Sequence, residues 1–371
     1  MRFEVSRVHD AIEQRLSTDP AIARAVLDLA EVVRYVDLDE GRPANLLRLG
    51  MVIDALSRQL AEEKVAVYAV VPRGLLSDAD LTANERMVIR RWADDGLVEV
   101  LADPADRILE VADLLGLPVL SRHRFDGFVG RYPWLTGQAG RLLAPLPGLG
   151  GAVLAPRVGR ASAPAVAEPS PAGARLIARL WRCPHPDCSS FGPARVGRPS
   201  GQPPPTVRAG VPTCPRHETR LTDAGPRPPA EVLAVRIDGV VRQRFVVAGD
   251  QPVVVGRAPE EPGGVMLGPW LAEEARRWIS RSHVRFEMRG PELIAHDIST
   301  NGTAIRPGGS MDDSARISLR RQSRPVGPAD VVELYRGVHV GRARNWASGG
   351  VANPESVMAE APTVTIRRMP R

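Results

Sequence analysis

Three short segments in the last third of the chain contain residue types that could bind a phosphate group. VVVGR ends at Arg257, ISRSHVRF contains Ser280 and Arg281, and HDISTNGTAI contains Thr300 and Asn301. A phosphothreonine carries close to two negative charges and three acceptor oxygens. The guanidinium groups offer charged donors, and Ser280 offers a hydroxyl group. The amide of Asn301 suits the backbone of an extended peptide, so these residue types favour binding of a phosphorylated peptide.

The order and spacing of these segments resemble the forkhead-associated (FHA) domain over about residues 231–345. The resemblance implies that the five residues named above face a phosphothreonine peptide, because FHA domains recognise phosphorylated motifs with arginine-containing sites. We interpret Gly256 and Gly302 as turn residues with positive φ. We interpret His283 as a residue that fixes the loop by hydrogen bonding and does not touch the phosphate.

The elements that carry these segments are predicted to be short strands. From Glu231 onward, apolar stretches such as VLAVRI, PVVVGR and VVELYRG alternate with turn residues, which predicts an all-β sandwich. The stretch between Arg257 and Ser280 is long, and WLAEEARRW within it predicts an inserted short helix beside the binding loops. The polar tail, residues 346–371, is predicted to be disordered.

All three cysteines of the chain lie in one short segment. Cys183 and Cys188 form a C-x4-C pair, and Cys214 and His217 form a C-x2-H pair. These thiolate and imidazole groups can supply the four ligands of a tetrahedral Zn²⁺ site. We predict a zinc-ribbon-like segment with a structural role for the metal, because a closed Cys3His site leaves no open coordination position. His185 is an alternative ligand, and three incidental surface cysteines are the alternative interpretation.

The first 145 residues alternate between strand-like and helix-like patterns, which predicts a three-layer α/β domain around a parallel sheet. The predicted strands are residues 32–38, 65–71, 97–102 and 117–121. The predicted helices are residues 5–16, 21–32, 46–62, 80–94 and 106–115. We expect the loops after Leu38, Ala102 and Leu120 to share one cleft. Residues 146–176 are rich in Pro, Ala and Gly and are predicted to be a linker to the zinc-ribbon-like segment, residues 177–225.

Parts of this N-terminal region resemble the PIN-like, NYN-type ribonuclease fold. The resemblance rests on YVDLD, AVYAVVPR and ADRILEVADLLGLPVLSRHRFDGF, within about residues 30–140. It implies that Asp37 and Asp106 would hold Mg²⁺ or Mn²⁺ in an active enzyme, and Asp126 would then be the third carboxylate, in place of one that the family has three residues earlier. His123 stands where the family has an Asp, which leaves the carboxylate set incomplete.

The alternative is a PIN-like fold without catalysis. In that case Asp37 and Asp106 would cap helices or pair with nearby arginines. A basic edge made of Arg122, Arg124 and Arg131 could then bind RNA through phosphate contacts that depend on salt.

The amino-acid composition argues against a wholly disordered protein and against a membrane-spanning one. With 43% hydrophobic and 25% charged residues, the 371-residue chain is not expected to be wholly disordered. It contains no apolar run of about 18 residues, so no transmembrane helix is predicted. Lys64 is the single lysine beside many arginines, which indicates a GC-rich bacterial genome. A cytoplasmic location is the expectation.

Together these patterns predict a phosphothreonine-binding adaptor in Ser/Thr kinase signalling, with a PIN-like effector domain that could bind RNA. The expected partner is a Ser/Thr kinase or a kinase substrate. The alternative is a metal-dependent ribonuclease that is recruited to phosphorylated partners through its FHA domain.

Overall fold

The computed structural model describes residues 2–157, 164, 167–192, 201–249, 251–310 and 312–346. The chain divides into two compact units, the first within residues 1–225 and the second within residues 226–354, with residues 60–65 grouped with the second. Apart from Trp346, the predicted disordered tail lies outside the described residues. Among the described residues, no helix is long and apolar enough to cross a membrane.

The first unit contains a six-stranded sheet. Its strands are β1 (Ala23–Asp28), β2 (Ala66–Pro72), β3 (Glu99–Leu101), β4 (Val119–Leu120), β5 (Leu142–Gly148) and β6 (Gly151–Pro156). The order across the sheet is β3-β2-β1-β4-β5-β6. The pairs from β3 to β5 are parallel, and β5 and β6 form an antiparallel hairpin. The sheet is therefore parallel, as predicted, except for its last strand.

Helices lie before, between and after these strands in the sequence. They are α1 (Arg2–Glu13), α2 (Leu29–Val32), α3 (Leu47–Leu60), α4 (Ala83–Asp94), α5 (Ala105–Leu115), α6 (Trp134–Gly137) and α7 (Pro171–Ile177). The start of α4 illustrates how the sequence sets a boundary. The Thr82 side chain accepts the backbone N–H of Glu85, and the Glu85 carboxylate accepts the backbone N–H of Thr82. This capping box satisfies N–H groups that have no partner inside the helix.

The first strand is where the sequence prediction was wrong. Residues 21–32, predicted as a helix, contain β1 and α2, and residues 32–38, predicted as a strand, contain a 3-10 turn at Val36–Leu38. A buried parallel strand is a continuous apolar run, and such a run also fits a helix. The break lies at Asp28, whose carboxylate accepts two backbone N–H groups and caps α2. Asp28 thus ends the first strand of the sheet.

The segment predicted as a linker, residues 146–176, also differs from the prediction. It contains β6 and most of α7. Gly173 lies so close to α5 that a Cβ atom would stand 2.0 Å from the carbonyl oxygen of Leu114. In the described part of this segment, which leaves out residues 158–163, 165 and 166, proline and glycine occur in a hairpin and in close helix packing.

The cysteine-containing part of the first unit has two small sheets. β7 (Arg179–Arg182) pairs with β10 (Thr222–Pro226), and β8 (Thr206–Arg208) pairs with β9 (Val211–Thr213). Its small core contains Phe191 and Leu221 together with the three buried cysteines. So few apolar side chains can supply only a small part of the free energy of folding.

The second unit contains two antiparallel-rich sheets. The first has the order β12-β11-β21-β20-β17-β18, with β11 (Ala230–Ile237), β12 (Val240–Ala248), β17 (Thr303–Arg306), β18 (Ile317–Leu319), β20 (Val331–Tyr335) and β21 (Val338–Arg342). The second has the order β14-β13-β15-β16-β19, with β13 (Val253–Gly256), β14 (Val265–Met266), β15 (Val284–Arg289), β16 (Glu292–Asp297) and β19 (Ser323–Pro325). One hydrophobic core contains residues of both sheets, such as Val235 and Phe286, so the unit is a β-sandwich. The predicted inserted helix is present as α8 (Glu273–Trp278).

Candidate functional site

The end of β13 lies against the loop that contains Ser280 and Arg281. The backbone N–H of Arg257 donates to the carbonyl oxygen of Ser280 at 3.0 Å. The backbone N–H of His283 donates to the carbonyl oxygen of Val255, also at 3.0 Å. A Cβ atom on Gly256 would stand 1.9 Å from the carbonyl oxygen of Arg281. Gly256 does not have the predicted positive φ. Glycine is needed here because the two backbones approach closely, and this contact places Arg257 beside Ser280.

His283 holds this loop from inside the domain. Its side chain is fully buried, and its Nδ1 atom accepts the backbone N–H of Ser280 at 3.1 Å. Burial lowers the pKa of His283 to about 4, so the ring is neutral near pH 7. A neutral ring with Nδ1 as acceptor fits a role in positioning Ser280.

The loop that carries Thr300 and Asn301 is organised by Asp297. This buried carboxylate accepts the hydroxyl groups of Ser299 and Thr303, each at 2.7 Å, and the backbone N–H of Arg321 at 2.7 Å. The Ser299 hydroxyl oxygen in turn accepts the N–H of Gly302 at 2.8 Å. Gly302 has φ +90°, as predicted, and this conformation favours glycine. The hydrogen bonds fix the backbone on both sides of the two predicted ligand-binding residues.

These loops form one groove with a volume of about 500 Å³, called the groove below. Its lining includes all five residues predicted to bind a phosphopeptide, together with one aromatic side chain from α8: Arg257, Ser280, Arg281, Thr300, Asn301 and Trp278. The residues come from three segments separated in the sequence, and the fold brings them together.

The hydrogen bonds inside the groove leave its polar groups ready for a ligand. The Ser280 hydroxyl oxygen accepts the backbone N–H of Thr300 at 3.1 Å, so the hydroxyl hydrogen can be donated to a ligand. The Asn301 amide nitrogen donates to the carbonyl oxygen of Trp278 at 2.7 Å, and its amide oxygen can accept a hydrogen bond. Arg257 is exposed and forms no ion pair with any residue that the structure describes.

Helix α8 is anchored in the sandwich and reaches the groove with its last two residues, Arg277 and Trp278. Ala275 and Ile279 are buried in the hydrophobic core. The rings of Trp278 and Tyr335 lie 6.0 Å apart, and the Trp278 side chain remains 44% exposed. The insertion between Arg257 and Ser280 therefore adds a fixed wall to the groove.

A second candidate site lies in the first unit. The ligand atoms of Cys183, Cys188, Cys214 and His217, here called the Cys/His cluster, lie within 4.8 Å of one another. The Sγ atoms of Cys188 and Cys214 are 3.8 Å apart, and the His217 Nδ1 atom is 3.4 Å from Cys183 Sγ and 3.5 Å from Cys214 Sγ. Tetrahedral Zn²⁺ with Zn–S and Zn–N bonds of about 2.3 and 2.0 Å requires S–S and S–N separations of about 3.8 and 3.5 Å. The cluster could thus hold a metal ion such as zinc.

The surroundings of the Cys/His cluster also suit a metal with thiolate ligands. The backbone N–H of Phe191 donates to Cys188 Sγ at 3.3 Å, which stabilises negative charge on sulfur. The hydrogen bond between the two thiols lowers the pKa of Cys188 and raises the pKa of Cys214, so Cys188 is the thiol that ionises more readily. His185, the alternative ligand, is outside the group of four, and its ring stacks on that of His217 with centroids 4.4 Å apart.

The carboxylates predicted to hold Mg²⁺ or Mn²⁺ have other partners. Among the described residues, the Cys/His cluster is the only group of three or more His, Cys, Asp or Glu residues arranged to hold a metal ion. Each predicted carboxylate pairs with a different arginine: Asp37 with Arg122 at 2.8 Å, Asp106 with Arg131 at 2.7 Å and Asp126 with Arg124 at 3.3 Å. The hydrogen bond from Arg122 lowers the pKa of Asp37. The predicted basic edge therefore neutralises the predicted acidic site.

Sequence reasoning missed a different polar group at the carboxyl ends of β1 and β4. Asp28 ends β1, and burial raises its pKa. The Ser121 hydroxyl, which follows β4, donates to the Glu31 carboxylate at 2.5 Å. Because β1 and β4 are parallel neighbours, their carboxyl ends meet at one edge. The signal in the sequence was Asp28 directly after a buried apolar run, which was obscured when that run was assigned to a helix.

No protein-family model and no curated protein match the chain. Among solved structures, the MEK1 FHA domain is similar at 23% identity over 30% of this chain and 87% of that chain, with a TM-score of 0.24. The FHA domain of human APLF, solved with an XRCC1 bisphospho peptide, is 18% identical over 30% of this chain and 97% of that domain's chain, with a TM-score of 0.22. The FHA domain of the CT664 protein from Chlamydia trachomatis is 18% identical over 30% of this chain and 93% of that domain's chain, with a TM-score of 0.23.

Proposed function

We propose that the second unit is an FHA-type domain that binds phosphothreonine peptides. The observation that carries the proposal is the convergence of Arg257, Ser280, Arg281, Thr300 and Asn301 in one groove. Residues that are up to 44 positions apart in the sequence thus present charged, hydroxyl and amide groups to the same volume. This set matches a dianionic phosphate attached to an extended peptide.

The roles of the residues follow from their chemistry. The guanidinium groups of Arg257 and Arg281 would pair with phosphate oxygens, and the Ser280 hydroxyl would donate a third hydrogen bond. The Asn301 amide oxygen would accept a backbone N–H of the peptide. Because Asn301 is tied to Trp278 and Ser280 is tied to Thr300, these groups are already oriented, and little conformational entropy is lost on binding.

At the level of the whole chain, we propose an adaptor whose partner is a phosphothreonine-containing protein, either a Ser/Thr kinase or a kinase substrate. The Cys/His cluster would hold a structural Zn²⁺ ion in the first unit. That the N-terminal region is a PIN-like effector domain that binds RNA stays a prediction. A nuclease assay with Mg²⁺ or Mn²⁺, comparing the native chain with Asp37→Asn and Asp106→Asn, would test the ribonuclease alternative.

The proposal is tested with the full chain on an array of phosphothreonine peptides with randomised flanks. Phosphoserine and unphosphorylated copies of each peptide serve as ligand controls. We expect binding of phosphothreonine peptides only, and we expect Arg257→Ala to weaken it by about 1.5–3 kcal/mol, the loss typical of one charge-assisted hydrogen bond. Arg289→Ala, an exposed change outside the groove lining, is the matched control. Equal binding of phosphorylated and unphosphorylated copies would refute the proposal.

A further inference from the structure

An acidic loop enters the groove next to the proposed phosphate ligands. The sequence Pro259-Glu260-Glu261-Pro262 follows Arg257 closely. The Glu260 carboxylate lies 3.1 Å from a guanidinium nitrogen of Arg281, and Glu260 belongs to the groove lining. Thus one of the two cations proposed to bind phosphate already faces a carboxylate of the chain.

The ion pair itself contributes little to the fold. The side chains of Arg281 and Glu260 are 68% and 79% exposed, and pairs with this exposure typically stabilise a protein very little. Glu260 is therefore better explained by an effect on ligands than by an effect on folding.

Without a ligand the groove carries about one excess positive charge, and a bound phosphate alone would reverse the sign of this charge. Arg277, the other cation in the lining, pairs with Glu273 on α8 at 3.1 Å. Arg257 and Arg281 then bring two positive charges, Glu260 brings one negative charge, and a phosphothreonine brings nearly two. A bound phosphate would share the Arg281 guanidinium with Glu260, leaving about one excess negative charge at the mouth of the groove.

We propose that Glu260 selects phosphothreonine peptides that carry an arginine or lysine close to the phosphothreonine. This inference rests on the proposed function and adds the class of peptide. A ligand cation beside Glu260 removes the excess negative charge, whereas a ligand carboxylate increases it. For an exposed pair, the expected preference for a basic over an uncharged residue is about two- to fivefold at the best position.

The test uses the full chain and degenerate peptide mixtures with a fixed central phosphothreonine. In separate mixtures, each of the three positions on either side is fixed as Arg, Ala or Asp, and affinity is measured by fluorescence anisotropy. We expect at least one position at which Arg binds more tightly than Ala and Ala more tightly than Asp. Glu260→Gln should remove this order, and Glu260→Arg should reverse it. Glu261→Gln is the matched control, because Glu261 contacts Ser282 at 3.1 Å and lies outside the groove lining.

The outcomes separate this inference from the proposed function. Phosphothreonine binding with the same order of preference in the native chain and in Glu260→Gln would overturn the role of Glu260 and leave the phosphopeptide site standing. Binding with no preference for Arg at any position would do the same. Failure of the native chain to bind any phosphothreonine mixture would instead overturn the proposed function, and the inference with it. Since Glu260 is exposed, thermal melting of the variants should match that of the native chain.

Discussion

The groove and the Cys/His cluster are both built from side chains of separate segments, yet their polar groups face different environments. In the groove, Arg281 is 68% exposed and pairs with Glu260 at the surface, where a ligand could reach it. In the cluster, the three cysteines are buried and their sulfur atoms face one another and His217. An open set of donors can be altered without unfolding the chain, whereas a small domain built around a structural metal depends on that metal to fold. The comparison therefore separates the proposed binding site from the proposed metal site.

The largest expected effect is the loss of a ligand from the cluster. Cys214→Ser replaces a fully buried thiol of the cluster by a hydroxyl group, which would be a poor zinc ligand. We expect zinc content to fall from about one ion per chain to nearly none, because a structural site with three ligands binds far more weakly. We also expect backbone amides of residues 179–192 and 201–226 to lose protection in hydrogen exchange.

His185→Ala is the matched control for this change, because His185 stacks on His217 without belonging to the four ligands. It should keep its zinc. Full zinc content and unchanged protection in Cys214→Ser would erase the contrast between the two sites, since the cluster would then behave like an open surface site.

A smaller effect is expected for the contact that holds the cysteine-containing part on the sheet domain. Arg107 is buried, with Glu99 at 3.0 Å and Glu110 at 2.7 Å, and it also donates to the carbonyl oxygen of Pro204. Arg107→Met leaves two buried carboxylates without their cation, which typically costs about 3–5 kcal/mol of the free energy of unfolding. Urea denaturation of the zinc-loaded chain measures this loss.

Arg131→Met is the control for Arg107→Met. Arg131 pairs with Asp106 on the surface and is 54% exposed, so its removal should cost less than about 1 kcal/mol. Losses of equal size in the two variants would contradict the assignment of Arg107 as the buried link.

The sequence allowed both candidate sites to be predicted because their residues lie in short motifs. Ser280, Arg281 and His283 occur within four positions, and Cys214 and His217 are three positions apart, so local patterns already define much of each site. The role of Gly256 was harder to predict, since its need for glycine comes from a loop more than twenty residues away.

Features that depend on distant contacts could not be predicted. The partner of Arg107 at Pro204 is 97 residues away, and nothing in either local sequence indicates the contact. The strand that ends at Asp28 was assigned to a helix because an apolar run does not define its own backbone conformation. Tertiary pairing with β2 and β4 decided the outcome.

The last prediction concerns His283, the buried residue that supports the groove. In this respect the groove resembles the Cys/His cluster, because both depend on buried side chains. The pKa of His283 is about 4 in the folded chain, because burial disfavours the charged ring, and about 6.5 in an unfolded chain. Between these values the unfolded state binds more protons, so stability is complete above pH 6.5 and is lost as pH falls towards 4. The expected loss at pH 5 is about 2 kcal/mol for this residue.

His283→Asn isolates the contribution of the histidine. An asparagine oxygen can accept the N–H of Ser280 but does not titrate, so the variant should be less stable at pH 7 and should lose less stability between pH 7 and pH 5. His339 also makes the free energy of unfolding decrease as the pH falls, because burial lowers its pKa, but it does so equally in the native chain and in the variant. Urea denaturation at each pH, followed at the unfolding of the second unit in the full chain, measures how much stability the native chain and the variant lose. An identical pH dependence in the variant would mean that His283 is already charged or solvated, and that the groove is not supported by a buried neutral ring.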